Sequence, residues 1–267
     1  MARERKGGAG SLLWVCATLL AATWLPLPAG AQRSGSAAAA RPSRGTGGKV
    51  GILPDERIEV KGRQRAYRLL VPEGLDATKP APLVFTFHGF RVDSKDVMPR
   101  YTRLDDLARR EGFILAYPNA LEQRWRIRIQ GNEDLAFFDA LYRRITEQYD
   151  VDLNRVYATG MSNGAYFANL LASQRSDKIA AIAPHSGGLG VLALRGVRAR
   201  RKYPVLLIHG ADDRLVPISQ ARKAYKAYRQ EGHEVVLLEI PALGHRWATT
   251  ANINEKIWDF FRIHPLS

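Results

Sequence analysis

The chain has 267 residues, 46% of them hydrophobic, which is enough for one domain with its own core and too little for two. Its formal net charge of +14 favours anionic surfaces and polymers, but neither zinc-ligand spacing nor an RNA-binding aromatic motif accompanies it, so nucleic acid is not an expected partner. The single cysteine, Cys16, falls in a segment expected to be removed, which excludes a disulfide, a cysteine-held metal and a cysteine nucleophile from the mature protein.

Arg3, Arg5 and Lys6 precede an apolar run from Leu12 to Leu25, and Ala29-Gly30-Ala31 offers a small-residue cleavage site before Gln32. Residues 1–31 therefore read as a secretory signal peptide, and the protein as secreted, extracellular or periplasmic. The run is shorter than the ~20 residues of a membrane-spanning helix, and Pro26 and Pro28 close it, so no stable membrane anchor is expected after cleavage. Residues 32–50, rich in Ala, Ser, Gly and Arg without apolar period, read as a disordered linker. Residues 51–267 read as the folded domain. Arg57 to Val60 and Arg65 to Val71 are strand-like and joined by Lys61-Gly62, a hairpin signal. Strand patterns follow at Leu83–Phe87, Phe113–Tyr117, Arg155–Thr159, Ile179–Pro184, Val205–Ile208 and Val235–Ile240. Helical spacing alternates with them at Tyr101–Glu111, Asp134–Tyr149, Asn163–Ser173, Ser219–Glu231 and Asn252–Arg262. Continuous apolar strands alternating with amphipathic helices predict an α/β fold, a mostly parallel central sheet with helices on both faces. Ligands of such sheets bind at the carboxyl ends of the strands.

Gly160-Met161-Ser162-Asn163-Gly164 lies between the strand ending at Thr159 and the following helix. A serine on a strand-to-helix turn flanked by glycines is the α/β-hydrolase nucleophile arrangement, since close backbone approach on both sides exposes the hydroxyl. A serine hydroxyl needs a base, and the base an orienting acid. The order serine, acid, histidine is met by Asp212-Asp213 after the strand Val205–Ile208 and by His245 beyond the strand Val235–Ile240. Ser162, Asp213 and His245 are the expected triad, with Asp212 the alternative acid and His185 the alternative base. His209 reads as structural. The oxyanion donors are expected from the backbone of Asn163 and of Phe90 or Gly89, after His88-Gly89 at the end of the strand Leu83–Phe87. His88 and Trp125 are candidate substrate contacts. Two basic segments, one with Arg124, Arg126 and Arg128 and one with Arg195, Arg198, Arg200, Arg201 and Lys202, are expected at the catalytic edge. With Trp125 as a stacking surface they would attract an anionic ester.

The pair His88-Gly89, the block Val156 to Gly164, the run His209-Gly210-Ala211-Asp212-Asp213-Arg214-Leu215-Val216-Pro217 and the ending Gly244-His245-Arg246-Trp247 resemble the secreted polyhydroxybutyrate depolymerase and feruloyl or acetylxylan esterase family of α/β-hydrolases. The similarity runs from roughly Glu56 to Phe261. It implies hydrolysis of carboxylic esters, polymeric or polysaccharide-borne, with no metal or organic cofactor, and it places the acid four residues after the histidine of a His-Gly pair, at Asp213. It also sets Asp134, in the acidic start of a helix, as a cap or loop anchor. The sequence departs from the family in carrying Phe90-Arg91-Val92-Asp93 where further glycines are common. The same triad would serve a peptidase or acyltransferase, and a non-catalytic basic protein held at an anionic cell surface is the remaining alternative.

Overall fold

The computed structural model describes residues 39–76, 78–91 and 97–266. The expected signal peptide lies outside the described residues. The chain from residue 51 forms strands β1 (Gly51–Val60), β2 (Arg63–Val71) and β3 (Ala81–Phe87), then helices α1 (Val97–Thr102) and α2 (Leu104–Glu111). Strand β4 (Ile114–Pro118) leads to α3 (Glu133–Gln148), β5 (Val151–Met161) and α4 (Asn163–Gln174). The last elements are β6 (Ala181–His185), α5 (Leu192–Arg195), β7 (Val205–Gly210), α6 (Ser219–Gln230), β8 (Val235–Ile240) and α7 (Ile253–Arg262).

The eight strands form one sheet in the order β1-β2-β4-β3-β5-β6-β7-β8. The hairpin β1–β2 and the pair β2–β4 are antiparallel, and every pair from β4–β3 to β7–β8 is parallel. The hairpin turn places Lys61 at φ 53° and Gly62 at φ 74°, the two positive values that a tight two-residue turn demands.

Strand pleating sends alternate side chains to opposite faces, and the protein has a core on each. Leu83, Phe85 and Phe87 of β3, Val156 and Ala158 of β5 and Val205 and Leu207 of β7 pack with Leu135, Phe138 and Leu141 of α3, Phe167 and Leu171 of α4 and Tyr228 of α6. Val84, Tyr157, Leu206 and Ile208 point the other way, onto Leu104 and Leu107 of α2 and Ile257, Trp258 and Phe261 of α7. The seam holds aromatic pairs, with Tyr157 stacked on Phe261 at 4.6 Å and Phe113 on Trp258 at 4.6 Å.

Residues 39–50 are not a linker. Pro42 bridges Asp152, Ser43 N donates to Val151 O at 2.9 Å, and Leu153 N donates to Arg41 O at 2.8 Å. Arg41 N binds Asp152 Oδ1 at 3.0 Å, and Thr46 N and Gly47 N reach Glu147 O and Gln148 O at the end of α3. A Cβ on Gly45 would stand 2.4 Å from the backbone of Tyr149, so glycine lets the segment lie flat as a strap. Residues 32–38 of the expected linker fall outside the described residues.

Candidate active site

Ser162 sits between β5 and α4 at φ 54°, ψ −117°, a strained conformation for a residue with a Cβ. Its neighbours explain why the chain tolerates it. A Cβ on Gly160 would meet Gly164 and Phe87 O at 2.8 Å, and one on Gly164 would meet Phe87 O at 2.2 Å. Both glycines are needed for α4 to cross so close to the end of β3. Ser162 N donates to His185 O at 2.9 Å, and Ser162 O accepts from Ala165 N and Tyr166 N, which starts the helix. The Ser162 side chain stays partly exposed at the amino end of α4, where the helix dipole is positive.

Asp213 follows β7 with its side chain fully buried. Its Oδ1 accepts from Leu215 N at 3.0 Å and Val216 N at 2.8 Å, and its Oδ2 accepts from His245 Nδ1 at 2.7 Å. Burial alone would raise its carboxyl, but the Val216 amide, His245 and the Leu215 amide outweigh it and hold the group below its ordinary value. Asp212, the alternative acid, is exposed and gives its amide to Leu243 O at 3.0 Å. That bond, with a Gly210 whose Cβ would stand 2.2 Å from Leu243 O, packs the loop carrying Asp213 onto the loop carrying His245. With Nδ1 as donor, His245 keeps Nε2 as its free basic nitrogen. Ser162 Oγ makes no hydrogen bond among the described residues, so the link from Ser162 to His245 is not closed in this state.

His185, the alternative base, is fully buried, and burial followed by the charges of His209 and His245 pushes it down to about 3. Its carbonyl holds Ser162 N, and its ring stacks on Trp247 at 4.8 Å, two residues past His245. It ties the serine turn to the histidine loop. His209 is buried too, and its Nε2 donates to Val216 O at 2.7 Å and lies 3.4 Å from Asp213 Oδ2. It braces the acid from behind.

The backbone amides of Gly89, Phe90 and Asn163 donate to no acceptor among the described residues. The Cβ position of Gly89 is 3.7 Å from Ser162 Cβ, so the β3 loop lies against the serine turn. Phe90 follows with its ring half exposed.

Two expected substrate contacts are corrected. Trp125 is fully buried. It stacks on Phe167 at 4.8 Å, meets Phe87 edge-on at 5.1 Å, and donates Nε1 to His88 O at 3.0 Å. Its backbone N donates to Asn163 Oδ1 at 2.7 Å, and Asn163 Nδ2 donates back to Trp125 O at 3.3 Å. It is a wall behind the site, with no face for a ligand. His88 is buried as well, donating Nδ1 to Gly89 O at 2.6 Å and accepting from Ala120 N at 3.0 Å. The second basic segment is also displaced. Arg201 donates to Ser176 O and Ile179 O, and Ser173 Oγ donates to Arg198 O, all in the last turn of α4 or between α4 and β6, at the edge opposite Ser162.

The sequence pointed to Asp134 as a cap or loop anchor but not to the Arg65 and Asn132 that complete the support of this wall. Asn132 caps α3, and Asp134 takes Arg65 on Oδ1 at 2.7 Å and Arg126 N on Oδ2 at 2.8 Å, pinning the segment that holds Trp125. Asp134 is the loop anchor and Asn132 the cap. Among the described residues no three His, Cys, Asp or Glu side chains gather to hold a metal ion. No helix among them is long and apolar enough to cross a membrane.

A mostly parallel sheet, a serine on a glycine-flanked turn and an acid and histidine on later loops define an α/β-hydrolase. A solved ferulic acid esterase shares the fold, with a TM-score of 0.67, 17% identity and coverage of 79% of this chain and 98% of that one. The family model Esterase PHB depolymerase matches residues 65–213, and the chain belongs to that family. Residues 191–264 also match the Prolyl oligopeptidase family model. A bifunctional acetylxylan esterase/xylanase of Neocallimastix patriciarum is 30% identical over 65% of this chain and 25% of its own length. Feruloyl esterase C of Emericella nidulans is 30% identical over 64% of this chain and 62% of its own. The chain thus spans from a quarter to about three fifths of these relatives.

Proposed function

We propose that this chain is a secreted serine hydrolase of carboxylic esters, working through an acyl-enzyme. The observation that carries the reading is the Asp213–His245 hydrogen bond on two interlocked loops, tied to the strained Ser162 turn through His185. His245 Nε2 takes the Ser162 proton as Oγ attacks the ester carbonyl, then passes it to the departing alcohol. Asp213 fixes the imidazole tautomer and stabilises its cation. Asn163 N and Phe90 N or Gly89 N receive the negative charge of the tetrahedral intermediate, in an orientation set before substrate arrives. Water, activated by the same histidine, frees the acid. Ser162 and His245 close to hydrogen-bonding distance when substrate is bound, as hydrolase sites commonly do. Secretion is supported by the basic and apolar start of the chain and its small-residue cleavage site.

The relatives' names direct the test to acetylxylan and feruloyl esters, beside hydroxybutyrate oligomers and p-nitrophenyl esters. The wild type is expected to hydrolyse at least one, Ser162→Ala to lose at least ~10³-fold in kcat, and Asp213→Asn to lose about 10³–10⁴-fold. Equal rates in wild type and Ser162→Ala would end the reading.

A further inference from the structure

Phe90 is an apolar ring left half in water at the lip of the site, one residue from the Gly89 that touches the serine turn. Two guanidiniums flank it. The Arg91 carbon Cζ is 5.1 Å and that of Arg124 is 5.9 Å from the ring centroid. Their loops are stitched together, since Arg91 N donates to Gln123 O at 2.9 Å. Arg124 in turn precedes Trp125, whose amide holds the Asn163 side chain. Both cations are thereby fixed to backbone that contacts the nucleophile turn.

Neither guanidinium pairs with a carboxylate among the described residues. Their neighbours in the same segment are occupied: Arg126 lies 3.9 Å from Glu133 Oε2, and Arg128 donates to Gly131 O at 3.1 Å. Arg214 and Arg246, exposed and without a carboxylate partner among the described residues, follow Asp213 and His245 directly. Glu122 and Asp212 are exposed carboxylates on the same loops, so among these described residues four arginines stand against two acids. An arginine over an aromatic face keeps its N–H edges free for a planar anion.

We propose that Phe90, Arg91 and Arg124 form an anion subsite, so that the ester cleaved at Ser162 carries a carboxylate held by the two guanidiniums and an apolar stem laid on the Phe90 ring. The subsite rests on the esterase reading and narrows its substrate class. It also replaces Trp125 with Phe90 as the stacking surface.

The test uses two ester pairs matched except for charge. 4-Nitrophenyl hydrogen succinate against methyl 4-nitrophenyl succinate places the charge on the acyl side, and 3-acetoxybenzoate against methyl 3-acetoxybenzoate places it on the leaving group. In one pair the anionic member is expected to lead by about tenfold in kcat/KM at low ionic strength, a lead that shrinks as salt is added. Arg91→Gln with Arg124→Gln brings that ratio towards one, and the single substitutions carry the same test if the double variant fails to fold. Arg198→Gln with Arg200→Gln, which removes the same charge at the opposite edge, leaves the ratio in place. A wild-type ratio near one in both pairs, or equal loss from the two double variants, overturns the subsite. Inactivity on all four esters instead removes the esterase reading and the subsite with it.

Discussion

At position 125 one indole joins three parts of the site. Its ring fills the space between Phe87 and Phe167, its Nε1 holds the carbonyl of His88, and its backbone clasps the side chain of Asn163. Trp125→Ala is expected to cost about 3–5 kcal/mol of stability, from lost burial and the cavity left behind. Trp125→Phe keeps most of the stacking but removes the Nε1 hydrogen bond to His88 O, a cost of about 0.5–1.5 kcal/mol. Urea titration of both variants checks the order. A cost for Trp125→Ala below that of Trp125→Phe would show that the indole packing has been misread. The sequence conceals this role because Trp125 stands between Arg124 and Arg126, and an aromatic among arginines looks like a surface feature. The core stacking and the clasp on Asn163 become visible only once residues 38 positions apart are neighbours.

Among the elements, the entry to α3 bears the largest electrostatic commitment. Arg65 and Asp134 are both almost wholly buried, 2.7 Å apart, and Arg65 lies 4.0 Å above the Phe137 ring. Burial lowers the Arg65 pKa against the pull of Asp134, yet the group remains a cation. Asp134→Ala strands that charge and frees Arg126 N, so a loss of about 3–5 kcal/mol is expected, measurable as a lower thermal midpoint. Replacing both partners by apolar residues of similar volume should recover much of it. An undiminished midpoint in Asp134→Ala would contradict the buried-pair account. The elements themselves were legible because strands and helices here carry clean apolar periods, and the serine turn was legible because steric need for Gly160 and Gly164 leaves a written mark. The strap of residues 39–48 left none. It is held by backbone hydrogen bonds and by glycines laid on Tyr149, so its composition matches that of a disordered segment. The break between α1 and α2 escaped for a related reason: Arg103 turns the chain at φ 57°, a place where sequence favours glycine or asparagine.

Over the whole molecule, acid is the expected weakness. His185 is held down to about 3, and burial also lowers His209 and His233. Below their unfolded value of about 6.5 these rings take up protons in the unfolded chain but not in the native one, so stability falls as pH falls, down to each folded value. Asp213, lowered in the native state, adds its own loss once pH drops below about 4. His185→Gln should flatten the stability curve between pH 6.5 and 3 by about 1.4 kcal/mol per pH unit, read from urea midpoints across that range. An unchanged slope would mean that His185 protonates freely in the native protein. The strap also bears on how the polypeptide can be processed. It fastens onto the root of β5, the strand whose far tip presents Ser162. A protease that trimmed into residues 41–47 would unpick the base of the strand that carries Ser162, so a cut that spares this fold must fall upstream of Ala39.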